Sequence, residues 1–294
     1  MTDRHDRHRR PVPRWRAATV GVLLAVTMAA CGSSGGSEAA GDTATTAVTT
    51  TAAADTATTT ATKPLRILVT NDDGVTAPGI DTIVKALQTV PDATITVVAP
   101  KDQQSGQGGK TTAGPLTVTD AKTASGYPAK AVDGFPADTI RAAIDDLGIE
   151  ADLVVSGTNS GQNLGPLVDI SGTIGAARAA AAKGLPALAV STGAGPNGFD
   201  FEASVPFVLD WVNAHRDAAI AGTAPAQVDN LNVPSCADGT KVRGEVKVIA
   251  TTEHGDGAIK PQDCASTGTS YDNDVEAFNN GFATLTEKLQ PVKG

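Results

Sequence analysis

Two adjacent aspartates stand between an apolar run and a helix-like pattern in the stretch VTNDDGVTAPGI (69–80). As a turn, the stretch needs no further role, because Asn and Asp hydrogen-bond their own backbone and Gly supplies a positive φ. As a site, Asp72 and Asp73 offer the oxygen ligands that Mg²⁺, Mn²⁺ or Ca²⁺ prefer. Histidine and thiolate are absent from the neighbouring loops, which argues against zinc. This stretch alone leaves both interpretations open.

A second set of small polar residues, Ser171-Gly172-Thr173, opens another helix-like pattern. Free backbone N–H groups at a helix start, with hydroxyls beside them, bind phosphate. Ordinary N-capping by Ser171 or Thr173 explains the same residues without a ligand. Taken together with the aspartates, these residues indicate metal-assisted phosphate chemistry.

The elements that must position these residues alternate between strands and helices. The pattern predicts strands at 65–70, 94–99, 153–155 and 187–191, and helices at 80–87, 136–147, 173–183 and 201–214. This alternation predicts an α/β fold with a doubly wound, Rossmann-like, mostly parallel sheet and a small C-terminal β-containing extension. Ligands bind beyond the carboxyl ends of such strands. The NDDG turn, the loop carrying Ser105 and the segment 156–165 should therefore meet at one edge.

The first 31 residues are typical of a lipoprotein signal peptide. Six arginines precede Ala17–Ala30, an apolar run of 14 residues that is too short to span a bilayer but suits a signal peptide core. Cys31 follows at once, as the residue that would carry the lipid. We therefore predict an exported lipoprotein on the outer face of the cell membrane. An ordinary signal peptide, an uncleaved anchor and twin-arginine export through Arg9-Arg10 stay open.

Residues 32–63 are predicted to be a disordered linker, and residues 64–294 the folded domain. Between 38 and 62, 20 of 25 residues are Thr or Ala. Such a segment cannot bury enough surface to offset the entropy of ordering. The remaining 231 residues are enough for one sizeable core.

The charge of the mature chain limits its partners. Removing the leader takes six arginines and two aspartates from 23 basic and 32 acidic residues, which leaves 17 against 30, or about −13. So acidic a chain is a poor binder of nucleic-acid polymers, whose phosphates require basic surface. Anionic lipid would repel it as well, so membrane contact is expected only through the N-terminal lipid.

Cys236 and Cys264 remain as a pair, 28 positions apart. In an exported domain a disulfide between them is expected. Metal ligation by the pair is the weaker alternative, since no CxxC spacing accompanies it. His215 and His254 are assigned surface or capping positions and no catalytic role.

Several blocks along the chain together resemble the SurE family of metal-dependent nucleoside monophosphate phosphatases. ILVTNDDG (67–74) with APGI (77–80) matches the N-terminal signature, and three further blocks follow in the family's order. They are VVAP (97–100) before Ser105-Gly106; DLVVSGTN (152–159) before Gly161, Asn163-Leu164-Gly165 and SGT (171–173); and LPALAVS (185–191). The resemblance implies 5′-nucleotidase activity with Mg²⁺ or Mn²⁺, on a nucleoside monophosphate or another small phosphomonoester.

The resemblance also implies roles for individual residues. The implied metal ligands are Asp72, Asp73, Ser105 and Asn159, and the two aspartates are also the candidates for orienting or deprotonating water. The implied phosphate-binding residues are Asn71, Ser171, Gly172 and Thr173.

Four departures from the family pattern leave substrate preference and assembly, as a homodimer or a higher oligomer, open. Lys101-Asp102-Gln103-Gln104 stand where the family usually carries arginine before the Ser-Gly, and Ile170 stands where it carries an aromatic residue. The acidic residue that the family pattern has near Arg178 is missing, and the region 235–270 is short and contains both cysteines. The alternative function is that of an exported solute-binding lipoprotein, which shares the leader and the α/β architecture. Such proteins usually have two α/β lobes, for which this chain is short.

Overall fold

The computed structural model describes residues 63–251 and 257–289, and these residues belong to one compact unit. The predicted leader with Cys31, His254, and the predicted linker apart from Lys63 lie outside the described residues. Among the described residues, no helix is both long enough and apolar enough to cross a membrane.

Most strands of the described residues belong to one sheet. The strands are β1 (Leu65–Thr70), β2 (Ala93–Pro100), β3 (Thr117–Lys122), β4 (Pro128–Asp133), β5 (Leu153–Ser160), β6 (Ala187–Thr192), β7 (Ala194–Gly195), β8 (Gly198–Phe199), β9 (Val228–Val233), β10 (Glu245–Lys247) and β11 (Ala283–Thr286). The large sheet has the order β10-β11-β9-β6-β5-β1-β2-β4-β3, and β7 and β8 form a separate hairpin. The central run from β9 to β4 is parallel, whereas β3 and β11 pair antiparallel to their inner neighbours.

The described residues contain five α-helices. They are α1 (Pro78–Leu87), α2 (Pro136–Arg141), α3 (Gly172–Ala182), α4 (Val205–Ile220) and α5 (Asp274–Asn279). Helix α1 shows why these residues are helical. Proline at its first position has the required φ and lacks an N–H that would go unpaired. Its apolar residues recur at helical spacing, and all of them are buried.

The sheet is covered by helices on both faces. On one face, Ile83 of α1 and Trp211 of α4 belong to the same core cluster as Val155 of β5. On the other face, Ile140 of α2 and Ile174 of α3 share a cluster with the adjacent strand residue Val154. Successive residues of a strand point to opposite faces, so these two clusters are the two layers of a doubly wound sheet. The predicted fold class is confirmed.

The structure corrects the bounds of three predicted elements. The helix predicted at 136–147 is α-helical only to Arg141, and Ala142–Asp146 continue as a π-helix. The strand predicted to end at Val155 continues to Ser160. An irregularity between Ser156 and Asn159 shifts the register of its pairing with β6, and the pairing resumes at Asn159. Helix α4 begins at Val205 and extends to Ile220, six residues past the predicted end, since Ala219 continues its buried stripe.

The C-terminal part of the described residues is tied to the central sheet by a covalent bond. Cys236, three residues beyond β9, forms a disulfide with Cys264, which precedes α5. Phe278 of α5 and Leu164, in the segment that follows β5, are fully buried in one small cluster. The extension therefore packs directly against the segment that leads from β5 to α3.

Candidate metal and phosphate site

The NDDG turn follows β1, and it is formed by contacts of its first and last residues, Asn71 and Gly74. The Asn71 side-chain amide donates to the Gly74 carbonyl at 2.8 Å, and Gly74 has φ +102°, a conformation that favours glycine. The intervening carboxylates accept hydrogen bonds from distant parts of the chain. Asp72 accepts from Thr173, 101 positions away, and Asp73 accepts from the Ser160 amide, 87 positions away. Turn formation therefore does not account for the two aspartates.

The loop after β2 contacts the same turn. The Gln104 amide donates to the Asp72 carbonyl at 2.7 Å, and the Gly108 amide donates to the carbonyl of Ile170 at 3.0 Å. Ser105 lies between these anchors and is exposed, and its hydroxyl accepts a hydrogen bond from Gln103 within the loop. The backbone thus places the Ser105 loop at the predicted edge.

The end of β5 forms another side of the site. The Ser160 amide donates to Oδ2 of Asp73 at 2.9 Å, which holds Asn159 beside the turn. The Asn159 side-chain amide donates to the Gly161 carbonyl at 2.6 Å. Its Oδ1 is buried and has no hydrogen-bond partner among the described residues. The end of β5 therefore offers a buried oxygen without a partner in the described part of the chain, on the residue that precedes the one bonded to Asp73.

The N-terminus of α3 closes the site against Asp72. Ser171 caps the helix by accepting the Ile174 amide at 3.2 Å. A Cβ on Gly172 would lie 2.8 Å from the Asp72 side chain, so only glycine allows this approach. Thr173 is fully buried, and its hydroxyl donates to Oδ1 of Asp72 at 2.7 Å. The Thr173 hydroxyl is thus committed to a carboxylate in this structure.

The electrostatics of Asp72 follow from its position. The pKa of Asp72 is raised to about 6, chiefly because the carboxyl is buried; the neighbouring charge of Asp73 contributes to the rise, and hydrogen bonds from Thr173 oppose it. Burial and a second negative charge nearby both disfavour the ionised form of a carboxyl group. A cation between the two would remove that penalty.

The free oxygens at this edge fit a hard cation. Besides Asn159, Asn71 has a buried Oδ1 with no partner among the described residues. Two carboxylates and unpartnered amide oxygens form the all-oxygen donor set that Mg²⁺ or Mn²⁺ takes. The described ranges 63–251 and 257–289 contain no group of three or more His, Cys, Asp or Glu side chains that could hold a metal. The carboxylate and amide set is therefore the candidate.

Sequence reasoning missed one residue of this neighbourhood. Asn163 contacts Thr173 and, through its backbone, β9, although only its place in a family-like block drew notice in the sequence. Sequence reasoning gave His215, which lies outside the neighbourhood, a surface or capping position, whereas the structure places it partly buried within α4. Its ring stacks on Trp211, and Nδ1 contacts the Trp211 carbonyl at 2.8 Å. Neither contact involves the candidate site.

Residues 67–260 match the family model described as survival protein SurE. The chain belongs to the SurE family. The matched range includes the NDDG turn, the Ser105 loop, the end of β5 and the start of α3, so every part of the candidate site is family sequence.

Relatives and a solved structure agree with this assignment. The chain is 41% identical over 172 residues to 5′-nucleotidase SurE of Geobacter sulfurreducens, across 58% of this chain and 62% of the relative. It is 33% identical to 5′-nucleotidase SurE of Acinetobacter baumannii over 250 residues, across 76% and 92%. The crystal structure of SurE protein from Aquifex aeolicus superposes with a TM-score of 0.61 at 25% identity, across 78% of this chain and 95% of that one. With the Geobacter sulfurreducens relative, the match spans less than two thirds of that protein's length.

Proposed function

We propose that this chain is a metal-dependent phosphomonoesterase that hydrolyses nucleoside 5′-monophosphates to nucleoside and phosphate. One observation carries the proposal: three separate segments converge on the Asp72-Asp73 turn and leave buried amide oxygens without partners beside it. Membership of the SurE family and the name 5′-nucleotidase borne by its relatives support the choice of reaction and substrate.

Mg²⁺ or Mn²⁺ is the proposed cofactor. Asp72, Asp73 and Oδ1 of Asn159 would hold it, and Ser105 is the proposed ligand from the exposed loop. A bound divalent cation supplies Lewis-acid polarisation of the phosphoryl group and of water. The side-chain NH₂ of Asn71 donates to the turn, which leaves Oδ1 as its free atom. This oxygen can only accept, so it can bind a cation or a water proton but would not attract a phosphate oxygen.

The remaining roles follow from exposure and hydrogen bonding. Ser171 and Gly172 stand at the N-terminus of α3, where backbone N–H groups favour an anion, and we assign them to the substrate phosphate. Of the two aspartates, Asp73 is partly exposed, so it has access to water. We assign Asp73 to orienting the attacking water and accepting its proton at a carboxylate oxygen. Asp72 is buried and fixed by Thr173, which suits a metal ligand.

The surroundings of the enzyme are proposed from the sequence. The basic leader, the short apolar run and Cys31 support an exported protein held at the membrane by lipid, and assembly as a homo-oligomer stays a proposal. The alternative of a solute-binding protein gains no support, because the described residues form one α/β unit and not two lobes.

Phosphate release by the full chain tests the proposal. The chain is incubated with adenosine 5′-monophosphate in Mg²⁺ or Mn²⁺, then with EDTA, then with metal restored. We expect release that stops with EDTA and returns with metal, and His215→Gln should match the wild type as a remote control. Nucleotide binding without turnover, or full turnover in EDTA, would overturn the proposal.

A further inference from the structure

Asn163 is held in place by the sheet and not by its own loop. Its backbone amide donates to Oδ1 of Asn232 at 2.7 Å, and its backbone carbonyl accepts from the side chain of Asn230 at 2.8 Å. Both partners belong to β9, on the far side of β6 from the metal-site strands β5 and β1. Asn163, Asn230 and Asn232 are all buried. The backbone at Asn163 is therefore fixed by buried hydrogen bonds to another element.

The side chain of Asn163 points from this anchor toward the candidate site. Its side-chain nitrogen, Nδ2, lies 2.8 Å from the Ser191 hydroxyl oxygen and 3.4 Å from the Thr173 hydroxyl oxygen. An amide nitrogen can only donate, so the Thr173 oxygen is an acceptor in this contact. The proton of Thr173 is then left for Oδ1 of Asp72, 2.7 Å away. The donors run in one direction, from Asn163 through Thr173 to the carboxylate.

We infer that Asn163 is a positioning residue of the metal site, and that it acts on Asp72 through the hydroxyl of Thr173. The inference rests on the proposed function, since it treats Asp72 as a metal ligand. A ligating side chain is held in its binding orientation by hydrogen bonds to its remaining atoms, and loss of such a bond weakens metal affinity. Asn163 fixes which way the Thr173 hydroxyl donates, and Thr173 fixes the Asp72 carboxylate.

Metal affinity, measured apart from turnover, tests this chain of contacts. Mn²⁺ is titrated calorimetrically into the metal-free full chain, for the wild type, Thr173→Val, Thr173→Ser, Asn163→Ala and the Thr173→Val/Asn163→Ala double variant. Losing an outer hydrogen bond to a ligand weakens affinity by roughly 10–100-fold, which we expect for Thr173→Val, with about tenfold for Asn163→Ala. Thr173→Ser keeps the hydroxyl and should bind like the wild type.

The double variant decides whether Asn163 acts through Thr173. If it does, adding Asn163→Ala to Thr173→Val costs no more than about a further twofold, within the error of additivity. If the two losses multiply, Asn163 acts by another route and the inference is overturned. Unchanged affinity in Asn163→Ala also overturns it. Should Asn163→Ala fail to fold, wild-type affinity in the nearly isosteric Thr173→Val overturns the inference by itself.

Thr139→Val is the matched structural control. Thr139 is as fully buried as Thr173, and its hydroxyl pairs with Thr70 at 2.7 Å without contacting Asp72. It should lower the melting temperature of the metal-free protein about as much as Thr173→Val while leaving Mn²⁺ affinity intact. Equal loss of affinity in both variants would show a general packing effect and overturn the inference. A wild-type protein that binds no divalent cation would overturn the proposed function itself.

Discussion

The backbone amide of Ser160 donates a hydrogen bond of 2.9 Å to Oδ2 of Asp73. This bond joins the end of β5 to the turn after β1, one residue beyond Asn159. The two strands are direct neighbours in the sheet, in parallel register up to Thr70 and Ser156. The edge of the sheet and this single bond together bring the proposed ligands into one place.

Asp72→Asn and Asp73→Asn separate the site from the turn. An asparagine oxygen can still accept from Thr173 or Ser160, so both variants should fold. Each loses a negative charge from the proposed metal shell, and we expect kcat/KM at limiting Mg²⁺ to fall by about a thousandfold, or about 4 kcal/mol. Wild-type turnover in both variants would return the aspartates to a turn-forming role.

The metal-free stability of Asp72→Asn provides a second readout. Burial raises the pKa of Asp72 to about 6, so at pH 8 the folded apo protein holds a buried charge that an amide would not carry. We expect the variant to melt at the same temperature as the wild type in EDTA, or above it. A clear fall in melting temperature would show that the carboxylate stabilises the fold.

Ser105→Ala should have a smaller effect than either aspartate change. Ser105 is exposed and neutral, so water can take the place of its hydroxyl without a change of charge. We expect the Mg²⁺ concentration for half-maximal activity to rise by less than about tenfold, or about 1.4 kcal/mol, with kcat nearly retained. A loss as large as that of Asp73→Asn would give Ser105 a catalytic role beyond ligation.

Loss of the disulfide should destabilise the folded domain. Cys236 and Cys264 close a loop of 28 positions, and removing such a constraint from the unfolded chain costs roughly 3–4 kcal/mol in the chain-entropy model. We expect Cys236→Ser/Cys264→Ser to lower the free energy of unfolding in urea by that amount. Equal stability of the double variant and the oxidised wild type would contradict the estimate.

The ion pair around Asp152 should make stability depend on acid pH. Burial alone would raise the pKa of Asp152, but hydrogen bonds from Arg66 and Lys63 outweigh it and lower the pKa to about 2, below the ordinary 3.8. The folded protein thus binds this proton less readily than the unfolded chain. The resulting stability, about 2 kcal/mol, is present above pH 4 and is lost as pH falls toward 2.

Asp152→Asn tests this window. The variant should be less stable than the wild type by about 2 kcal/mol at pH 7, and the difference should shrink between pH 4 and pH 3 in urea titrations. A difference that stays constant over this range would mean that the lost stability comes from packing and not from the charge of Asp152.

Local patterns were enough to predict the central elements. The apolar run 65–70 is β1 in the structure, and the helix predicted at 80–87 is α1, which begins two residues earlier at Pro78. Buried parallel strands and amphipathic helices leave a local signature, because each is defined by residues that are near in sequence. The alternation of these elements also determined that NDDG, the Ser105 loop and the end of β5 meet at the carboxyl edge of the sheet.

Only the tertiary structure decided what each polar residue at that edge contacts. The family resemblance implied a phosphate-binding role for Thr173, and the sequence assigned no role to Asn163. The fold shows that Thr173 contacts Asp72 and that Asn163 is anchored on β9. The extension of β5 through the irregularity at 156–159 was likewise invisible in the local pattern. A hydrogen bond between residues about 100 positions apart depends on loop paths and sheet register, to which the residues nearby in sequence contribute little. Residue types therefore determined the chemistry available, and packing across the sheet determined which atoms were left free to perform it.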